Sequence, residues 1–361
     1  MKHTMMGLML STAAGGTLVL AGAASAQDSF EGQRIQIIVP FAPGGATDVA
    51  ARFLEPYMEK HLPGNPDVEV VNRGGGGSIL GANWFQQNAE PDGLTVLFTT
   101  SSTATPYVLG QEGVEYDLAS MRVGYSLPFG SVTYVSPLTG IASIEDLADT
   151  DAKLVYGGIS AAASDLPTLL SFEVLGLDVR SVLGFEGRGP ARLAFERGET
   201  NIDFQFTPAY LTQVADQAEA GSVVPLMTGG SVDEEGRLTA RDPAVPDLPS
   251  VHELYVELNG EEPKGVEWDA YQAIGALTLS YGLTGYLPEG TPDEVVQAYA
   301  EAVQAINADP DFQEGSQEVT GGYELILPQD AEGPLKAALQ PSEEVRSYLR
   351  TLLSDKYGVA F

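Results

Sequence analysis

A short apolar strand, a Pro/Gly loop and a helix follow one another in the run IQIIVPFAPGGATD at residues 35–48. Aliphatic residues form the strand, and the proline and glycine residues of the loop interrupt regular structure. A helix that begins directly after such a loop points its free backbone N–H groups, and the positive end of its dipole, at one place. The run therefore predicts an α/β unit in which the backbone holds an anion without a basic side chain.

The segments that follow alternate between strand-like and helix-like patterns. We expect a helix over 46–62, a strand over 68–72, a helix over 78–89 and a strand over 94–100. This β-α-β-α-β order predicts a parallel sheet with helices on both faces.

The first of these helices carries two further expectations. Val49, Phe53 and Tyr57 recur at helical spacing, so they are expected on one face, with Leu54 and Met58 beside it. Pro56 lies inside the pattern and is expected to kink the helix or to end it early.

The alternation restarts after residue 130, which predicts a second α/β unit. Strands are expected over 131–136, 153–158, 181–185, 201–206 and 223–229, with helices over 166–175, 190–197 and 210–220.

The remaining chain is expected to return to the first unit. The Pro-, Gly- and acid-rich region 231–268 is interpreted as a surface excursion, and the apolar stretch 270–286 as buried strand, before helices over 292–308 and 343–354. We therefore predict two domains, one built from 27–129 plus 231–361 and the other from 130–230. The chain is expected to cross between them near 127–133 and near 228–234.

Residues 1–26 have the pattern of a secretory signal peptide. Lys2 and His3 precede an apolar stretch, and Ala24-Ser25-Ala26 supplies a cleavage site before Gln27. A permanent N-terminal anchor is the alternative. The chain has no cysteine, which excludes lipid attachment at a cysteine, disulfides, thiol catalysis and cysteine-based metal sites. The pattern predicts an exported protein that is free in the compartment it reaches, without stable membrane insertion.

The charge of the chain is strongly negative. Fifty acidic residues stand against 18 basic ones, which gives a formal net charge of −32. Such a surface repels nucleic acid and anionic lipid. The acidic residues are scattered and lack the spacing of a calcium loop, so we interpret the acidity as a solubility device suited to a saline habitat.

Three loops at predicted strand ends carry candidate binding groups. Glycine lets a ligand approach the backbone and permits positive φ, and hydroxyls at the carboxyl end of a parallel strand lie where open α/β sheets bind ligands. The candidates are Phe41, Ala42, Gly44, Gly45, Gly75, Gly76, Gly77, Ser78, Ser101, Ser102 and Thr103. A carboxylate such as Asp48 in the first helical turn ordinarily caps the helix or compensates its dipole. No nucleotide-binding glycine motif occurs.

The sequence gives little support for an enzymatic function. Beyond the signal the chain contains only His61 and His252, and no nucleophile or metalloprotease motif occurs. We expect no catalytic residue, no metal and no cofactor.

Six segments, in this order and spacing, resemble the periplasmic binding proteins of tripartite tricarboxylate transporters, the Bug or TctC family. They lie at 39–52, 70–82, 90–97, 154–158, 184–204 and 287–303. The resemblance covers essentially the whole mature chain. It implies a type II-like, two-lobed α/β binding fold with two parallel-rich sheets, flanking helices and two crossover hinge strands. It also implies a carboxylate held mainly by backbone amides and water, and delivery to a membrane permease. For Asp48 the resemblance implies that it orders the loop or meets a ligand ammonium or hydroxyl.

The resemblance adds candidates in the second domain. They are Gly158, Ser160, Ala162, Ser164 and Phe185. The loop 158–164 is poorer in glycine and hydroxyls than the family pattern, and Glu186 stands where relatives usually carry a basic residue. Glu186 and Arg188 are both expected at the surface, with a cationic ligand contact from Arg188 as the alternative.

The sequence therefore predicts a monomeric receptor for a small organic carboxylate. A ligand-presenting subunit for a membrane sensor kinase is the rival, and a secreted hydrolase is a third possibility. Backbone amides recognise a carboxylate and not the rest of the molecule, so the sequence does not identify the acid.

Overall fold

The computed structural model describes residues 30–142, 146–147, 152–233 and 235–360. The predicted signal peptide and its cleavage site lie outside these ranges. Within them, no helix combines the length and the apolar character needed to cross a membrane.

The first sheet contains five strands. They are β1 (Arg34–Val39), β2 (Asp67–Asn72), β3 (Thr95–Thr100), β4 (Arg122–Leu127) and β12 (Leu283–Leu287), in the order β2-β1-β3-β12-β4. β1 pairs in parallel with β2 and β3, whereas β12 runs antiparallel to β3 and β4. The predicted parallel sheet is thus correct for the first three strands, and a strand from late in the chain completes it in the opposite direction.

The second sheet repeats this plan. Its strands are β5 (Val132–Val135), β6 (Leu154–Gly158), β7 (Val179–Leu183), β8 (Ile202–Gln205) and β9 (Val224–Thr228), in the order β7-β6-β8-β5-β9. β6 is parallel to β7 and β8, and β5 is antiparallel to β8 and β9. A separate hairpin pairs β10 (Ser231–Val232) with β11 (Leu238–Ala240). We call the two five-stranded sheets, with their helices, the first and second lobe.

Helices cover both sheets. In chain order they are α1 (Ala46–His61), α2 (Ile79–Asn88), α3 (Ser101–Leu109), α4 (Leu166–Val174), α5 (Arg188–Glu196), α6 (Thr207–Gln213), α7 (Ala215–Glu219), α8 (Val251–Asn259), α9 (Val266–Gly275), α10 (Asp293–Asn307), α11 (Pro310–Val319), α12 (Pro328–Leu339) and α13 (Glu343–Tyr357). Two short 3₁₀ turns, Gly76–Ser78 and Pro137–Thr139, and a π-helical turn at Ala276–Ser280 complete the described elements. The two-lobed α/β binding-protein fold predicted from the sequence is confirmed.

The chain passes between the lobes at two places. It leaves the first sheet at Leu127 and enters the second at Val132, and it leaves the second at Thr228 and re-enters the first only at Leu283. Between these points α8 packs on β9 and β11, while α9 packs on α4 of the second lobe and on α12 and α13 of the first. Because this segment contacts both lobes, the domain boundary at 231 stays a prediction.

The interpretation of 231–268 as a surface excursion is wrong. Leu238 of β11 and Val251 and Leu254 of α8 are buried, and they belong to a core that also contains residues of both lobes. The apolar stretch 270–286 is helix and π-turn until β12 begins. Almost all residues from Ala270 through the π-turn to Ser280 are buried, and periodicity cannot distinguish such a buried helical segment from a buried strand.

The expectations for α1 also need correction. The helix runs through Pro56 to His61. Pro56 is exposed, so water can satisfy the carbonyl freed one turn earlier, and Phe53 and Tyr57 on either side of it pack against Phe312 of α11. Val49 is 48% exposed, because that packing covers the helix only around Phe53 and Tyr57.

The contact between α1 and α11 contains an acid-sensitive ion cluster. Asp309 caps α11, and its Oδ2 accepts from Lys60 at 2.7 Å and from His61 Nε2 at 2.8 Å. Hydrogen bonds from His61 and Lys60 lower the pKa of Asp309 to about 2, against an ordinary value of 3.8.

We expect this cluster to lose its stabilising effect as the pH falls from about 4 to about 2, because the folded pKa lies below the unfolded one. Asp309→Asn keeps a capping side chain but removes the charge. Thermal melts of both proteins between about pH 6 and about pH 2.5 should therefore converge at low pH. A constant difference in melting temperature across that range would contradict the assignment.

Candidate functional site

The predicted binding residues lie at equivalent places in the two lobes. In the first lobe they follow β1, β2 and β3, and in the second they follow β6 and β7. All five strands belong to the parallel part of their sheet, whose carboxyl ends are where open α/β sheets bind ligands. The hydrogen bonds of each set stay within its own lobe.

Asp48 orders the first loop. The carboxylate is 3% exposed, and its Oδ2 accepts from the Gly44 amide at 2.8 Å and from Arg52 at 3.2 Å. Arg52 also donates to Asn72, whose amide donates to the carbonyl of Phe41. Burial raises the pKa of Asp48, but the hydrogen bonds from Gly44, Arg52 and Asn72 more than offset this, so the pKa lies below 3.8. Of the three roles considered for Asp48, the structure shows loop ordering.

This arrangement decides which amides of the loop can reach a ligand. The Gly44 amide is occupied by Asp48, whereas the amides of residues 45–48 precede the first hydrogen bond of α1, from Val49 to the Gly45 carbonyl. Gly44 has φ +83°, a conformation that requires glycine. Gly45 has φ −79° and is exposed, and a Cβ there would lie 3.7 Å from the Ala42 carbonyl oxygen. The positive φ therefore explains why position 44 is glycine, whereas the backbone angles at position 45 do not require glycine.

The glycine run after β2 forms a second loop against the first. A Cβ on Gly74 would lie 3.3 Å from the amide nitrogen of Ala42, so the two backbones are in close contact. Gly75, Gly76 and Gly77 all have positive φ, and so does Ser78 at +92°. The amides of Ser78, Ile79 and Leu80 bond back to Gly75 and Gly76, and those of residues 75–77 have no partner among the described residues.

The hydroxyls after β3 do not form an open polar loop. Residues 101–103 begin α3, Ser101 is 4% exposed, Ser102 is half-buried and Thr103 is fully buried. Thr103 donates to the Ser78 hydroxyl at 2.8 Å, and Ser78 donates to the Ser102 carbonyl at 3.3 Å. Thr103 braces the glycine loop through Ser78, and Ser101 is buried at the start of α3; ligand contacts from these two residues stay a prediction. Their burial follows from the way α3 packs, which the local sequence does not show.

Asp165 orders the equivalent loop of the second lobe and was not predicted. Its side chain is fully buried, and its Oδ2 accepts from the amides of Ile159 and Ser160, each at 3.1 Å. The Tyr156 hydroxyl donates to Oδ1. Ser160 accepts from the amide of Ala162 at 3.3 Å, and Ser164 is half-buried. An acid that closes a small-residue loop, directly before the LPTLL helix, is the sequence signal that could have revealed it.

Arg188 is neither a surface residue nor an available ligand contact. Its side chain is only 10% exposed and donates to Asp165 at 3.1 Å and to the carbonyls of Gly157 and Phe204 at 3.0 and 2.7 Å. It also forms an ion pair with Asp203, a buried acid on β8 that accepts from Tyr134 at 2.7 Å. Burial raises the pKa of Asp203, partly offset by Arg188 and Tyr134. The prediction of a surface arginine is therefore wrong.

The remaining candidates of the second lobe lie together. The amide of Phe185 donates to the carbonyl of Gly158 at 3.1 Å, and the Phe185 ring lies 3.1 Å from where a Cβ on Gly157 would be. Glu186 is exposed, as expected. Each lobe thus carries an aspartate that occupies loop amides and an arginine that neutralises it, namely Asp48 with Arg52 and Asp165 with Arg188.

Two cavities lie outside these loops. One of about 550 Å³ is lined by small side chains of α9 and α12, with acidic groups at Glu235 and Asp269. The other, of about 510 Å³, contains Arg237 and His252, which are paired with Asp233 and Glu262. A cavity lined by acidic groups, or by basic groups already paired with carboxylates, binds an anion poorly. The loops at the carboxyl ends of the parallel strands, which we call the strand-end loops, therefore stay the candidate site.

The described residues contain no cluster of three or more His, Cys, Asp or Glu suited to a metal ion. Each of the two described histidines, His61 and His252, contacts a carboxylate away from the strand-end loops.

No protein-family model matches the chain. A UPF0065 protein of Bordetella pertussis is 27% identical over 317 residues, covering 82% of this chain and 83% of that protein. BugT of the same organism is 26% identical over 206 residues, covering 52% of this chain and 59% of BugT.

Solved structures share the fold. A TctC solute-binding protein from Polaromonas has a TM-score of 0.65 at 18% identity, covering 89% of this chain and 98% of that one. MatC of Rhodopseudomonas palustris with bound malate has a TM-score of 0.55 at 20% sequence identity, and the match covers 88% of this chain and 99% of MatC. A protein of R. palustris with adipate has a TM-score of 0.59 at 21% sequence identity, and the match covers 91% of this chain and 98% of that protein.

Three independent observations now agree. The two sheets have the strand order of a two-lobed binding protein, the candidate loops lie at equivalent strand ends in both lobes, and relatives aligned over much of the chain carry UPF0065 and Bug names. The chain is therefore similar in sequence to UPF0065 and Bug proteins, and it shares the fold of a TctC solute-binding protein.

Proposed function

We propose that this protein is an extracytoplasmic receptor that captures a small organic carboxylate between its lobes and delivers it to a tripartite tricarboxylate-type permease. One observation carries the proposal. The unoccupied amides of residues 45–48 and 75–77 lie on two contacting loops at the start of α1 and α2. Backbone amides at helix starts favour an anion.

The comparisons support a carboxylate as that anion. Two structures with the same fold hold malate and adipate. Each hydrogen bond from an amide to a charged acceptor contributes roughly 1.5–3 kcal/mol. Three or four such bonds, reduced by the entropic cost of association, are enough for micromolar affinity.

Lobe closure is the proposed means of capture, with residues 27–129 plus 231–361 as one body and 130–230 as the other. The loop 158–164 and Phe185 would then meet the ligand from the second lobe. The proposal includes export to the periplasm after cleavage near Ala26, a monomeric receptor and no catalysis. A ligand-presenting role for a sensor kinase would use the same closed form.

A thermal-shift screen of carboxylic acids, each compared with its own primary amide, tests the proposal. At about 100 times the dissociation constant, a bound acid should stabilise the fold by roughly 2.7 kcal/mol, and the amide should not. Equal stabilisation by acid and amide, or no stabilisation by any acid, would contradict a carboxylate receptor.

A further inference from the structure

We propose that a buried cluster of Asp242, Thr207 and Tyr323 is the pivot about which the two lobes close. Asp242 is its positioning residue, because it fixes where the lobes stand relative to each other before a ligand binds. This inference rests on the lobe closure of the proposed function and names the residues that control it. It follows from hydrogen bonds between the lobes, from the packing around the first crossing and from the exposure of the strand-end loops.

Asp242 joins the two lobes through hydrogen bonds. Its side chain is 1% exposed, and its carboxylate accepts from the hydroxyl of Thr207, the first residue of α6 in the second lobe, at 2.7 Å. It also accepts at 2.6 Å from the hydroxyl of Tyr323, which belongs to the core of the first lobe. Burial and the neighbouring carboxylate raise the pKa of Tyr323, so its hydroxyl keeps the proton that it donates. The adjacent Arg241 pairs with Glu253 instead, and the buried carboxylate therefore depends on donors from both lobes.

The segment that carries Asp242 lies between the lobes. Asp242 accepts from the amide of Ala244 at 3.0 Å, which folds the segment into a turn. Ala244 packs against the core of the first lobe, whereas Val245 and Leu248 pack against a core of the second lobe. Because the segment has one side on each lobe, it keeps Asp242 in contact with both.

The cluster surrounds the first crossing between the lobes. Gly130 lies on this crossing with φ +45°. A Cβ there would lie 2.2 Å from the carboxylate and from the Tyr323 hydroxyl, and 2.4 Å from the Thr207 hydroxyl. The carbonyl of Phe129, just before it, accepts from the amide of Thr207 at 3.3 Å. Since atoms close to the crossing are displaced least when the lobes rotate about it, these contacts persist while the cleft opens and closes.

The strand-end loops show that the described conformation is open. Gly44 and Gly45 are exposed in the first lobe, and Gly184 and Glu186 are exposed in the second. Among the described residues, no hydrogen bond joins the strand-end loops of one lobe to those of the other. The lobes are therefore held on the side of the crossings and not across the cleft.

Two variants remove one bond each and keep nearly the same shape, namely Thr207→Val and Tyr323→Phe. Loss of either bond leaves the buried carboxylate short of a donor and loosens the lobes, so a smaller fraction of the free protein has the arrangement on which a ligand closes. The apparent affinity falls in proportion to that fraction, and we expect about tenfold weaker binding of the tightest acid from the thermal-shift screen.

Tyr299→Phe is the matched control. It also removes a buried tyrosine hydroxyl, which donates to the carbonyl of Gly93 at 2.8 Å, but both partners belong to the first lobe. We expect this variant to bind the acid as tightly as the unchanged protein does. Isothermal titration calorimetry measures each constant.

The position of the lobes is measured separately, by double electron–electron resonance. The chain contains no cysteine, so the exposed residues Glu90 and Asp178, which precede β3 and β7, can be replaced by cysteine to carry one spin label on each lobe. In the free protein we expect a broader distribution of label distances in Thr207→Val and Tyr323→Phe, and an unchanged distribution in Tyr299→Phe. Saturating acid should narrow the distribution again, because the ligand then holds the lobes together.

The outcomes distinguish the two proposals. An unchanged distance distribution or an unchanged affinity in both Thr207→Val and Tyr323→Phe overturns the pivot, and so does equal broadening in Tyr299→Phe. The two variants are measured singly, so that loss of the fold in one leaves the other to decide. If no acid binds the unchanged protein, the proposed function fails, and the distances in the free protein still decide whether the cluster positions the lobes.

Discussion

Replacing Arg188 by methionine is expected to lower the free energy of unfolding by about 3–5 kcal/mol, because it leaves two buried carboxylates without their counter-charge. Asp165 and Asp203 are fully buried and approach the guanidinium from the start of α4 and from β8. The variant should also release the loop that Asp165 holds, since one acid serves both the arginine and the amides of Ile159 and Ser160. Chemical denaturation monitored by circular dichroism measures the loss.

Arg192→Met is the matched control. Arg192 lies one turn further along α5, and among the described residues its ion pair is with Glu196, at the partly exposed surface of the same helix. Such pairs contribute less than about 1 kcal/mol. Combining Arg188→Met with Asp165→Asn and Asp203→Asn should recover part of the loss, because the charges that need compensation are then gone. Equal effects of the two arginine variants would show that Arg188 is not the centre of a buried network.

Replacing Gly45 by valine is expected to leave the free protein folded and to weaken carboxylate binding about 100-fold, as if one or two charged hydrogen bonds were lost. Gly45 has ordinary backbone angles and room for a Cβ, so the variant introduces no strain and its melting temperature should change by less than about 2 °C. The branched side chain would, however, stand over the amides at the start of α1.

Gly333→Val is the control for a glycine-to-valine change. A Cβ on Gly333 has no neighbour within 4 Å, and this glycine lies in α12, outside the strand-end loops. Calorimetric titration of both variants with the tightest-binding acid from the thermal-shift screen gives the comparison. Normal binding by Gly45→Val would show that the carboxylate does not approach the start of α1.

The sequence predicted the first three strands and first two helices of the first lobe, and the five strands of the second lobe, because their determinants are local. Aliphatic runs, glycine and proline breaks and helix-start residues identified β1, α1 and the loop between them. The equivalent strand, loop and helix of the second lobe, β6 and α4, were predicted in the same way. Strand ends then located the candidate loops, since the carboxyl ends of parallel strands lie on one edge of a sheet.

Only the tertiary structure decided what individual side chains do. Arg188 looked like a surface residue, because its partners Asp165 and Asp203 lie 23 and 15 positions away on other elements. Thr103 was predicted as a ligand contact from its place after a strand, and only the packing of α3 shows that it also donates to Ser78. The end of α9 and the π-turn after it resembled buried strand, because almost all of their residues are buried. The hydrophobic period and composition of a segment indicate which of its residues are buried. Which residues they contact is decided only when segments distant in the sequence pack together.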